Sequence, residues 1–206
     1  GRLNTDGSWD TSFSGDGKAI EHFDNDDIFQ SVAIQADGKI VAAGTSQFGH
    51  DAGNILLARY NTDGTLDNSF GGGDGWQVTD FSNRDRGWDL KIQSNGKIVV
   101  AGVCDYNNAS GNGRYGLVGR FNTDGSLDTT FSGDGKVCQN FGGTTDQFQT
   151  LEIQSNGKII AACWTNNGGN GSDVAAARFT TAGALDTSFS GDGLFQYDTG
   201  NQHQEY

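Results

Sequence analysis

Short apolar segments recur along the chain, separated by polar, glycine-rich stretches. One period begins with a short segment, KAIEHF, WQVTDF or KVCQNF, and continues with a segment in which apolar residues such as Leu90 and Ile92 alternate with polar ones. A nearly continuous apolar segment follows, KIVAAG, KIVVAG or KIIAAC, and then NILLARY, YGLVGRF or VAAARF. Alternation predicts a half-buried strand, and a short continuous apolar run predicts a strand covered on both faces. Each period therefore contains four predicted strands.

Turn signals separate the second and third predicted strands of every period. They are Asp37-Gly38, Asn95-Gly96 and Asn156-Gly157. Such dipeptides favour two-residue hairpin turns, in which both central residues adopt positive φ. No window sustains apolar residues at a spacing of 3.6, so long helices are not expected.

The same Asp- and Gly-rich phrase, FNTDGSLDTTFSGDGK in one copy, follows the fourth strand of each period. The copies align on a recurrent arginine, which occurs every 57 to 61 residues at Arg2, Arg59, Arg120 and Arg178. Four strands in a unit of about 40–60 residues are typical of a propeller blade. We therefore predict an all-β, propeller-like array of four-stranded antiparallel blades, with three full blades and partial terminal units. The units are approximately 1–58, 59–119, 120–177 and a partial 178–206.

The phrase stands between the fourth strand of one unit and the first strand of the next, so it is predicted to cross between blades. Three blades are too few to close a ring, because propellers have about four to eight. The chain is therefore part of a longer array, pairs with other chains, or stacks as an open solenoid. The expected partners are other copies of the chain or further repeats. Lys91 and Glu152 occupy equivalent positions in successive units, where they either pair or face water.

The stretches ARYNTDGTLDNSFGGGDG and AIQADGKIVAAG, with their two later counterparts, resemble the delta-60 repeats found in many bacterial secreted and surface proteins. The resemblance covers essentially the whole chain. It implies a propeller-like repeat array, often in exported proteins, and it implies no agreed biochemical activity.

Composition excludes some partners. The net charge is −13 with a pI near 4.3, which argues against binding to nucleic-acid phosphates. No apolar run is long enough to insert into a membrane. Three cysteines, Cys104, Cys138 and Cys163, leave an odd thiol whichever pair forms, and both a disulfide and free buried thiols are compatible with the sequence.

Calcium is the candidate cofactor. The phrase supplies closely spaced aspartates, which are Asp63, Asp67 and Asp74 in one copy and Asp124, Asp128 and Asp134 in the next. Calcium takes about six to eight oxygen ligands from carboxylates and carbonyls. The spacing differs from that of an EF-hand, and the fourth copy has Ala182 in place of its first aspartate. The alternative is that these aspartates form Asx turns and bond the recurrent arginine.

Enzymatic chemistry has little support in the sequence. The three histidines fall at unrelated positions of their units, and no serine or cysteine stands in a nucleophile motif. The variable loops, by contrast, carry Trp88, Tyr106 and Trp164 among Asn and Asp residues, a mixture that suits stacking on sugar rings. The alternative is that each aromatic side chain caps its own blade.

These patterns predict a non-enzymatic, extracellular or cell-surface module that is structural and adhesive, mediates protein or surface interactions, and can self-assemble. A glycan-binding, lectin-like propeller that contacts surface glycans is the alternative. An Asp-box-type glycoside hydrolase fragment is the third possibility.

Overall fold

The computed structural model describes residues 1–23, 26–46, 53–108, 111–143, 145–166 and 173–198, without the side chains of 106–108 and 111–112. Within these ranges the chain forms twelve strands and one 3₁₀ helix, Gly71–Gly73. None of the helical structure in these ranges has the length and apolarity needed to cross a bilayer.

The strands form three four-stranded antiparallel blades, and the strands of each blade pair in chain order. One parallel bridge, between Arg114 and Thr145, joins the second blade to the third. Blade 1 consists of β1 (Ile28–Ile34), β2 (Ile40–Ser46), β3 (Asn54–Tyr60) and β4 (Trp76–Thr79). Blade 2 consists of β5 (Asp85–Ile92), β6 (Ile98–Asn108), β7 (Gly111–Phe121) and β8 (Lys136–Gln139). Blade 3 consists of β9 (Thr145–Ile153), β10 (Ile159–Asn166), β11 (Asp173–Phe179) and β12 (Leu194–Tyr197). The predicted all-β array of three full blades is confirmed, and the array is not closed.

Each blade begins one strand later than the sequence analysis predicts. The WQVT segment pairs with β3, so that Trp76 lies opposite Ala58, and the KVCQ segment likewise pairs with β7. The first such segment, residues 18–23, is not a strand. The Asp- and Gly-rich phrase therefore connects the third and fourth strands of one sheet, and the prediction that it crosses between blades is wrong. We call this connection the Asp-Gly loop; its copies are residues 4–17, 61–75, 122–135 and 180–193.

The hairpin between the first two strands of each blade uses one residue with positive φ, not the predicted two. In blade 1, Gly38 has a φ of +84° and its N–H donates to the Gln35 carbonyl at 2.9 Å, whereas Asp37 is not in the positive-φ region. A turn closed by a single left-handed glycine makes a longer hairpin loop than a two-residue turn. The two-residue turn prediction is therefore wrong, although the glycine requirement is correct.

Neighbouring blades pack face to face. Leu90 and Leu151, at equivalent positions of β5 and β9, are only 2% and 1% exposed. Leu90 belongs to a cluster with Val41 and Ile55 of blade 1, and Leu151 to a cluster with Val99 of blade 2. The apolar surface buried between blades is therefore the core of the protein.

The polar faces of the first strands meet one another. Ser31 Oγ and Thr150 Oγ1 each donate to the Asp89 carboxylate at 3.1 Å, which links β1, β5 and β9. Lys91 Nζ lies 3.4 Å from Glu152 Oε1, which confirms the pairing alternative for these two residues. The polar positions that alternate along the first strands thus bond between blades.

Candidate functional site

The Asp-Gly loop begins with a tight turn held by its first aspartate. In the loop 61–75, Asp63 Oδ1 accepts hydrogen bonds from Thr65 Oγ1 at 2.7 Å and Thr65 N at 3.0 Å. These bonds stabilise the ionised carboxyl and lower the pKa of Asp63. Asp124 makes the same two bonds to Ser126. Asp63 and Asp124 therefore form Asx turns, which was the alternative to calcium binding.

A second aspartate of each loop lies between two cations. Asp128 Oδ2 accepts hydrogen bonds from Arg120 Nε and Lys97 Nζ, both at 2.6 Å, and Oδ1 accepts one from Thr130 Oγ1 at 2.7 Å. Its side chain is 3% exposed. Burial alone would raise the pKa of Asp128, but the hydrogen bonds from Lys97, Thr130 and Arg120 hold it well below its usual range.

This Arg-Asp-Lys triad recurs in every blade. The lysine follows the hairpin turn, the arginine ends the third strand, and the aspartate comes from the Asp-Gly loop. The triads are Arg59-Asp67-Lys39, Arg120-Asp128-Lys97 and Arg178-Asp186-Lys158. Arg2 and Asp10 form the corresponding ion pair in the first loop. The prediction that the recurrent arginine bonds a loop aspartate is confirmed.

The same arginine also reaches the next Asp-Gly loop. Arg120 Nη1 donates to the Thr181 carbonyl at 2.5 Å, and its guanidinium carbon lies 4.6 Å from the centre of the Phe131 ring. The neighbouring Ser132 N–H donates to the Ala182 carbonyl at 2.8 Å. A Cβ on Gly183 would lie 3.0 Å from the Phe131 ring, so glycine lets the ring sit on the loop. We call this set of contacts a loop lock.

Loop locks join each described Asp-Gly loop to its successor. Arg2 Nη1 donates to the Thr62 carbonyl at 2.5 Å, and Arg59 Nη1 donates to the Thr123 carbonyl. Phe70 is fully buried against Gly125 in the same way as Phe131 against Gly183. The Asp-Gly loops therefore tie successive blades together by stacking, although each loop belongs to a single sheet.

The geometry does not bring the predicted calcium ligands together. Asp63 and Asp124 form Asx turns, and Asp67 and Asp128 bind arginine and lysine. In the same loops, Asp134 Oδ1 accepts from Lys136 N at 2.9 Å, and Asp74 follows the 3₁₀ helix. In the part of the chain that the structure describes, no three Asp, Glu, His or Cys side chains are grouped so as to hold a metal ion. The calcium site stays a prediction without support from this geometry.

The three candidate sugar-binding aromatics lie in strands, not in loops. Trp88 occupies a β-bulge of β5; it is half-buried, and its Nε1 is buried without a hydrogen-bond partner. Trp164 lies in β10 and is 38% exposed. Tyr106 lies in β6, but its side chain is outside the described part. No ring contact joins the two tryptophans.

Two buried carboxylates at the other end of the blades were missed by the sequence analysis. Asp85 is fully buried and accepts hydrogen bonds from Phe81 N at 2.5 Å and Ser82 N at 3.1 Å. Burial raises the pKa of Asp85 to about 6. Asp146, at the equivalent place in blade 3, accepts from Phe141 N at 2.9 Å, and burial raises its pKa too. The available signal was the recurrence of aspartate just before the apolar alternation of the second predicted strand.

The neighbouring strand supplies a different partner residue at each of the two sites. Thr165 Oγ1 donates to Asp146, whereas Cys104 stands opposite Asp85 in the corresponding strand pair. Cys104 forms a disulfide with Cys138, with a Cα–Cα distance of 6.3 Å. Cys163 is a buried free thiol, and burial raises its pKa to about 12.

Positive charge gathers at the same end of blade 2. Arg114 Nε lies 3.4 Å from Asp105 Oδ1, and Arg84 Nε lies 3.9 Å from Asp105 Oδ2. Burial lowers the pKa of Arg86, and the charges of Arg114 and Arg84 lower it further. Two guanidinium groups thus lie within 4 Å of one carboxylate, and a third, that of Arg86, is close enough for their charges to affect it, in a chain of strongly negative net charge.

Two clefts open between neighbouring hairpins at the Asp-Gly-loop end. They have volumes of about 480 Å³ between blades 1 and 2 and about 440 Å³ between blades 2 and 3. The lining includes Arg59 in the first cleft and Arg120 and Lys97 in the second. These cations already bind Asp67 and Asp128, so the positively charged groups that line the clefts are those of the triads.

Comparisons with known proteins agree with this architecture. The family model described as "Domain of unknown function (DUF5122) beta-propeller" matches residues 35–70, 93–131 and 154–189. Each match runs from a hairpin turn to the phenylalanine of the Asp-Gly loop. No curated protein matches the chain.

One solved structure that is similar is described as the crystal structure of a GH43_12 retrieved from capybara gut metagenome. The TM-score is 0.46 at 8% identity, and the alignment covers 82% of this chain and 30% of that chain. The three ranges of the family match together cover just over half of the chain. The chain therefore belongs to the DUF5122 beta-propeller family.

Proposed function

We propose that the chain is a non-enzymatic structural and adhesive module of a secreted or cell-surface protein, with repeats of the delta-60 type. The observation that carries this proposal is the use of the recurrent charges. Arg120 and Lys97 each donate a hydrogen bond of 2.6 Å to Asp128, and Arg120 also donates to the next loop. A carboxylate held between two cations keeps its charge and does not exchange protons near neutral pH. The repeated chemistry therefore serves to hold blades together.

The disulfide supports the proposed location. Cys104 and Cys138 join β6 to β8 within blade 2. Disulfides persist in oxidising compartments such as the cell exterior and are rare in the reducing cytosol of most organisms.

The adhesive part of the proposal rests on the end of the blades opposite the Asp-Gly loops. The connections there differ in sequence from blade to blade, and in blade 2 Arg84 of a connection and Arg114 of β7 lie within 4 Å of Asp105, with Arg86 of β5 near them. Guanidinium groups bind carboxylates with paired hydrogen bonds. This end of blade 2 is therefore suited to a carboxylate-bearing surface.

Retention on coated surfaces tests this role. Beads that carry the protein should be held under flow on a carboxylated surface more strongly than on a neutral one, and added salt should weaken retention. Arg114→Glu should reduce retention several-fold. Lys18→Glu makes the same change of charge outside the arginine group of blade 2 and should leave retention nearly unchanged. Equal losses in the two variants, or no preference for the carboxylated surface, would overturn the adhesive role.

A glycan-binding role is the second candidate, and the aromatic surface of blade 3 favours it. Trp164 is 38% exposed and Tyr197 61% exposed, and both are cross-strand partners of Val174. Exposed rings on one sheet face provide a platform on which sugar rings can stack. Trp164→Ala should abolish binding on a glycan array, whereas the half-buried Trp88 should matter less. An array without any bound glycan would remove this candidate.

A further inference from the structure

Buried polar groups without a partner line the clefts between neighbouring hairpins. We call the cleft between blades 1 and 2 cleft 1–2, and the one between blades 2 and 3 cleft 2–3. Gln93 lines both clefts and is 9% exposed. Among the described residues, its Oε1 has no hydrogen-bond partner, and the same holds for Gln154 Oε1 in cleft 2–3. A buried amide oxygen without a partner costs free energy, which a donor from outside the chain would recover.

The two glutamine amides of cleft 2–3 suit hydroxyl groups. The last torsion of a glutamine side chain is broad and roughly two-fold, so each amide can turn its oxygen or its nitrogen toward the cleft. The oxygen accepts hydrogen bonds, and the nitrogen donates them. A hydroxyl group both donates and accepts, so amides from the hairpins of both blades match a ligand that carries several hydroxyl groups.

Lys97 brings further hydrogen-bond donors to cleft 2–3. Its Nζ donates to Asp128 at 2.6 Å, and its side chain is 25% exposed. An ammonium group has three donors, and in the described part of the chain this one has no second acceptor. Because Arg120 and Lys97 carry two positive charges against the one negative charge of Asp128, the triad leaves one positive charge beside the cleft. This charge favours an anionic ligand.

Cleft 1–2 differs from cleft 2–3 in charge. The hairpin of blade 2 contributes Asn95 to cleft 2–3, and the counterpart of Asn95 in cleft 1–2 is Asp37. The two residues form the same turn, because Oδ1 of each accepts a hydrogen bond of 3.1 Å from the lysine N–H two residues later. Asp37 therefore adds a carboxylate to cleft 1–2, whereas the described lining of cleft 2–3 contains no Asp or Glu. Of these two clefts, cleft 2–3 is the one suited to an anion.

The size and the apolar surface of cleft 2–3 fit a sugar ring. Its volume is about 440 Å³, within the range of small-molecule sites. Ile92 and Ile153 line it beside the polar groups. Small-molecule sites typically combine an apolar surface with a few polar groups that fix the orientation of the ligand. A sugar ring matches both, since it has C–H groups on its faces and hydroxyl groups at its edge.

We propose that cleft 2–3 binds a uronic acid, which is a sugar that carries a carboxylate. Lys97 donates to the carboxylate, the amides of Gln93 and Gln154 bond the hydroxyl groups, and the C–H face of the ring packs against the two isoleucines. Salt screens the distant carboxylates of this acidic chain, so the positive charge beside the cleft decides the attraction. A neutral sugar binds more weakly, because it offers no anionic acceptor to the ammonium group.

The inference goes beyond the proposed adhesive and glycan-binding roles, and it uses different residues. Arg114→Glu should reduce the retention of beads and leave the binding of free glucuronate to cleft 2–3 unchanged. Trp164→Ala should also leave this binding unchanged. The bead experiment can therefore fail while the inference holds, and the reverse is equally possible.

An NMR titration of isotope-labelled protein with glucuronate tests the proposal, with glucose and acetate as controls. The side-chain amide signals of Gln93 and Gln154 should shift on addition of glucuronate, whereas those of Gln35, which lines cleft 1–2 and not cleft 2–3, should not. Because a hydrogen bond to a charged group adds to the free energy of binding, glucuronate should bind at least about tenfold more tightly than glucose. Acetate lacks the hydroxyl groups and should bind as weakly as glucose. Unshifted Gln93 and Gln154 signals, an equal shift at Gln35, or equal affinities for the three compounds would refute the proposal.

A matched pair of variants tests the charge of the cleft. Asn95→Asp gives cleft 2–3 the carboxylate that cleft 1–2 already has at this turn, so the protein should fold and should bind glucuronate at least about tenfold more weakly. Asn156→Asp makes the same change at the equivalent turn of blade 3, where Asn156 also accepts a hydrogen bond of 3.1 Å from a lysine N–H but does not line the cleft. It should leave binding nearly unchanged. Equal losses in the two variants would contradict the assignment to cleft 2–3.

Gln93→Leu separates a binding role of the amide from a structural one. The substitution removes the amide at a similar side-chain volume. It should weaken glucuronate binding severalfold without lowering the urea midpoint of unfolding, because Gln93 Oε1 bonds nothing in the described part of the fold. A lowered midpoint together with unchanged binding would mean that the amide serves the fold, and the proposal would be wrong.

Discussion

Equivalent residues are core at the internal junctions and surface at the end of the array. Leu90 and Leu151 are 2% and 1% exposed, whereas Val32, at the same place in β1, is 64% exposed. The difference arises because blades 2 and 3 each follow a blade and β1 does not. A repeat residue therefore contributes stability through the neighbouring unit, as expected of an array whose units contact only their neighbours.

The charged residues repeat this contrast. The side chains of Arg120 and Asp128 are 7% and 3% exposed, whereas those of Arg2 and Asp10 are 34% and 22% exposed. The two pairs have nearly the same geometry, with Nε–Oδ2 distances of 2.6 and 2.7 Å. Because the two ion pairs have similar geometry and differ in exposure, a comparison between them isolates the effect of burial on stability.

The largest expected effect is the loss of a buried triad carboxylate. Asp128→Asn leaves Arg120 and Lys97 without a compensating charge and should lower the free energy of unfolding by about 3–5 kcal/mol. Asp10→Asn breaks the partly exposed pair with Arg2 and should cost much less, because solvent screens the charges of an exposed pair. Urea denaturation of both variants at neutral pH measures the difference. Equal costs would show that burial does not distinguish the two pairs.

Truncation of the buried leucine in the first strand of a blade should have the next largest effect on the free energy of unfolding. Leu151→Ala creates a cavity between blades 2 and 3 and should lower the free energy of unfolding by about 2–5 kcal/mol. Val32→Ala removes an exposed side chain and should change it by no more than about 0.5 kcal/mol. The same denaturation experiment measures both. A large cost for Val32→Ala at low protein concentration would mean that the first strand is covered in solution.

Asp85 should make the internal junction sensitive to pH. Its pKa is raised to about 6, above the unfolded value near 4, so the folded state binds the proton more tightly. The associated stability is present below about pH 4 and is lost as the pH rises to about 6, with a maximum of about 3 kcal/mol. Asp85→Asn should remove most of this loss. Asp27→Asn, at the equivalent position of the first blade, is the control.

The triad aspartates should change the free energy of unfolding with pH in the opposite direction. Because the pKa of Asp128 is lowered in the folded state, its contribution to stability is present above about pH 4 and is lost as the pH falls. Measurement of the free energy of unfolding from pH 3 to 8 in the wild type and Asp85→Asn separates the two trends. Identical pH profiles for these two proteins would contradict the assignment to Asp85.

The smallest effect concerns the exposed pair between the first strands. Lys91→Ala removes the contact with Glu152, whose side chain is 74% exposed, and should lower the free energy of unfolding by about 0.2–1 kcal/mol. High salt should remove most of this difference. A cost above about 2 kcal/mol would indicate that Lys91 has a role beyond the ion pair, for example through its 3.9 Å approach to Asp89.

Much of the local structure could be predicted because it depends on neighbours in the sequence. Alternation of apolar residues located β5 and β9, and the glycine of each hairpin turn has the positive φ expected of it. The bond from the recurrent arginine to an aspartate eight residues later was also accessible, since both residues recur at constant spacing. Equivalent positions in successive units likewise brought Lys91 and Glu152 together.

The features that the sequence analysis predicted wrongly or missed depend on contacts between segments that are distant in the sequence. Trp88 and Trp164 were expected in loops, but the strands extend further than the apolar runs indicate because backbone pairing continues through polar residues. The burial that raises the pKa of Asp85 could not be predicted, because it depends on the strand opposite, where Cys104 faces Asp85 as Thr165 faces Asp146. Neither partner is near Asp85 or Asp146 in the sequence.

By itself, the sequence determined the strands, their turns and the period at which they recur, because these follow from local preferences of the backbone and from side-chain alternation. Only the tertiary structure decided which four strands share a sheet. A periodic pattern looks the same whichever strand is counted first. The hydrogen bonds between β3 and β4, which the Asp-Gly loop connects, determine where each sheet begins and ends. The tertiary structure also decided which copies of the repeat are buried, since the same residue is core or surface according to the presence of an adjacent blade.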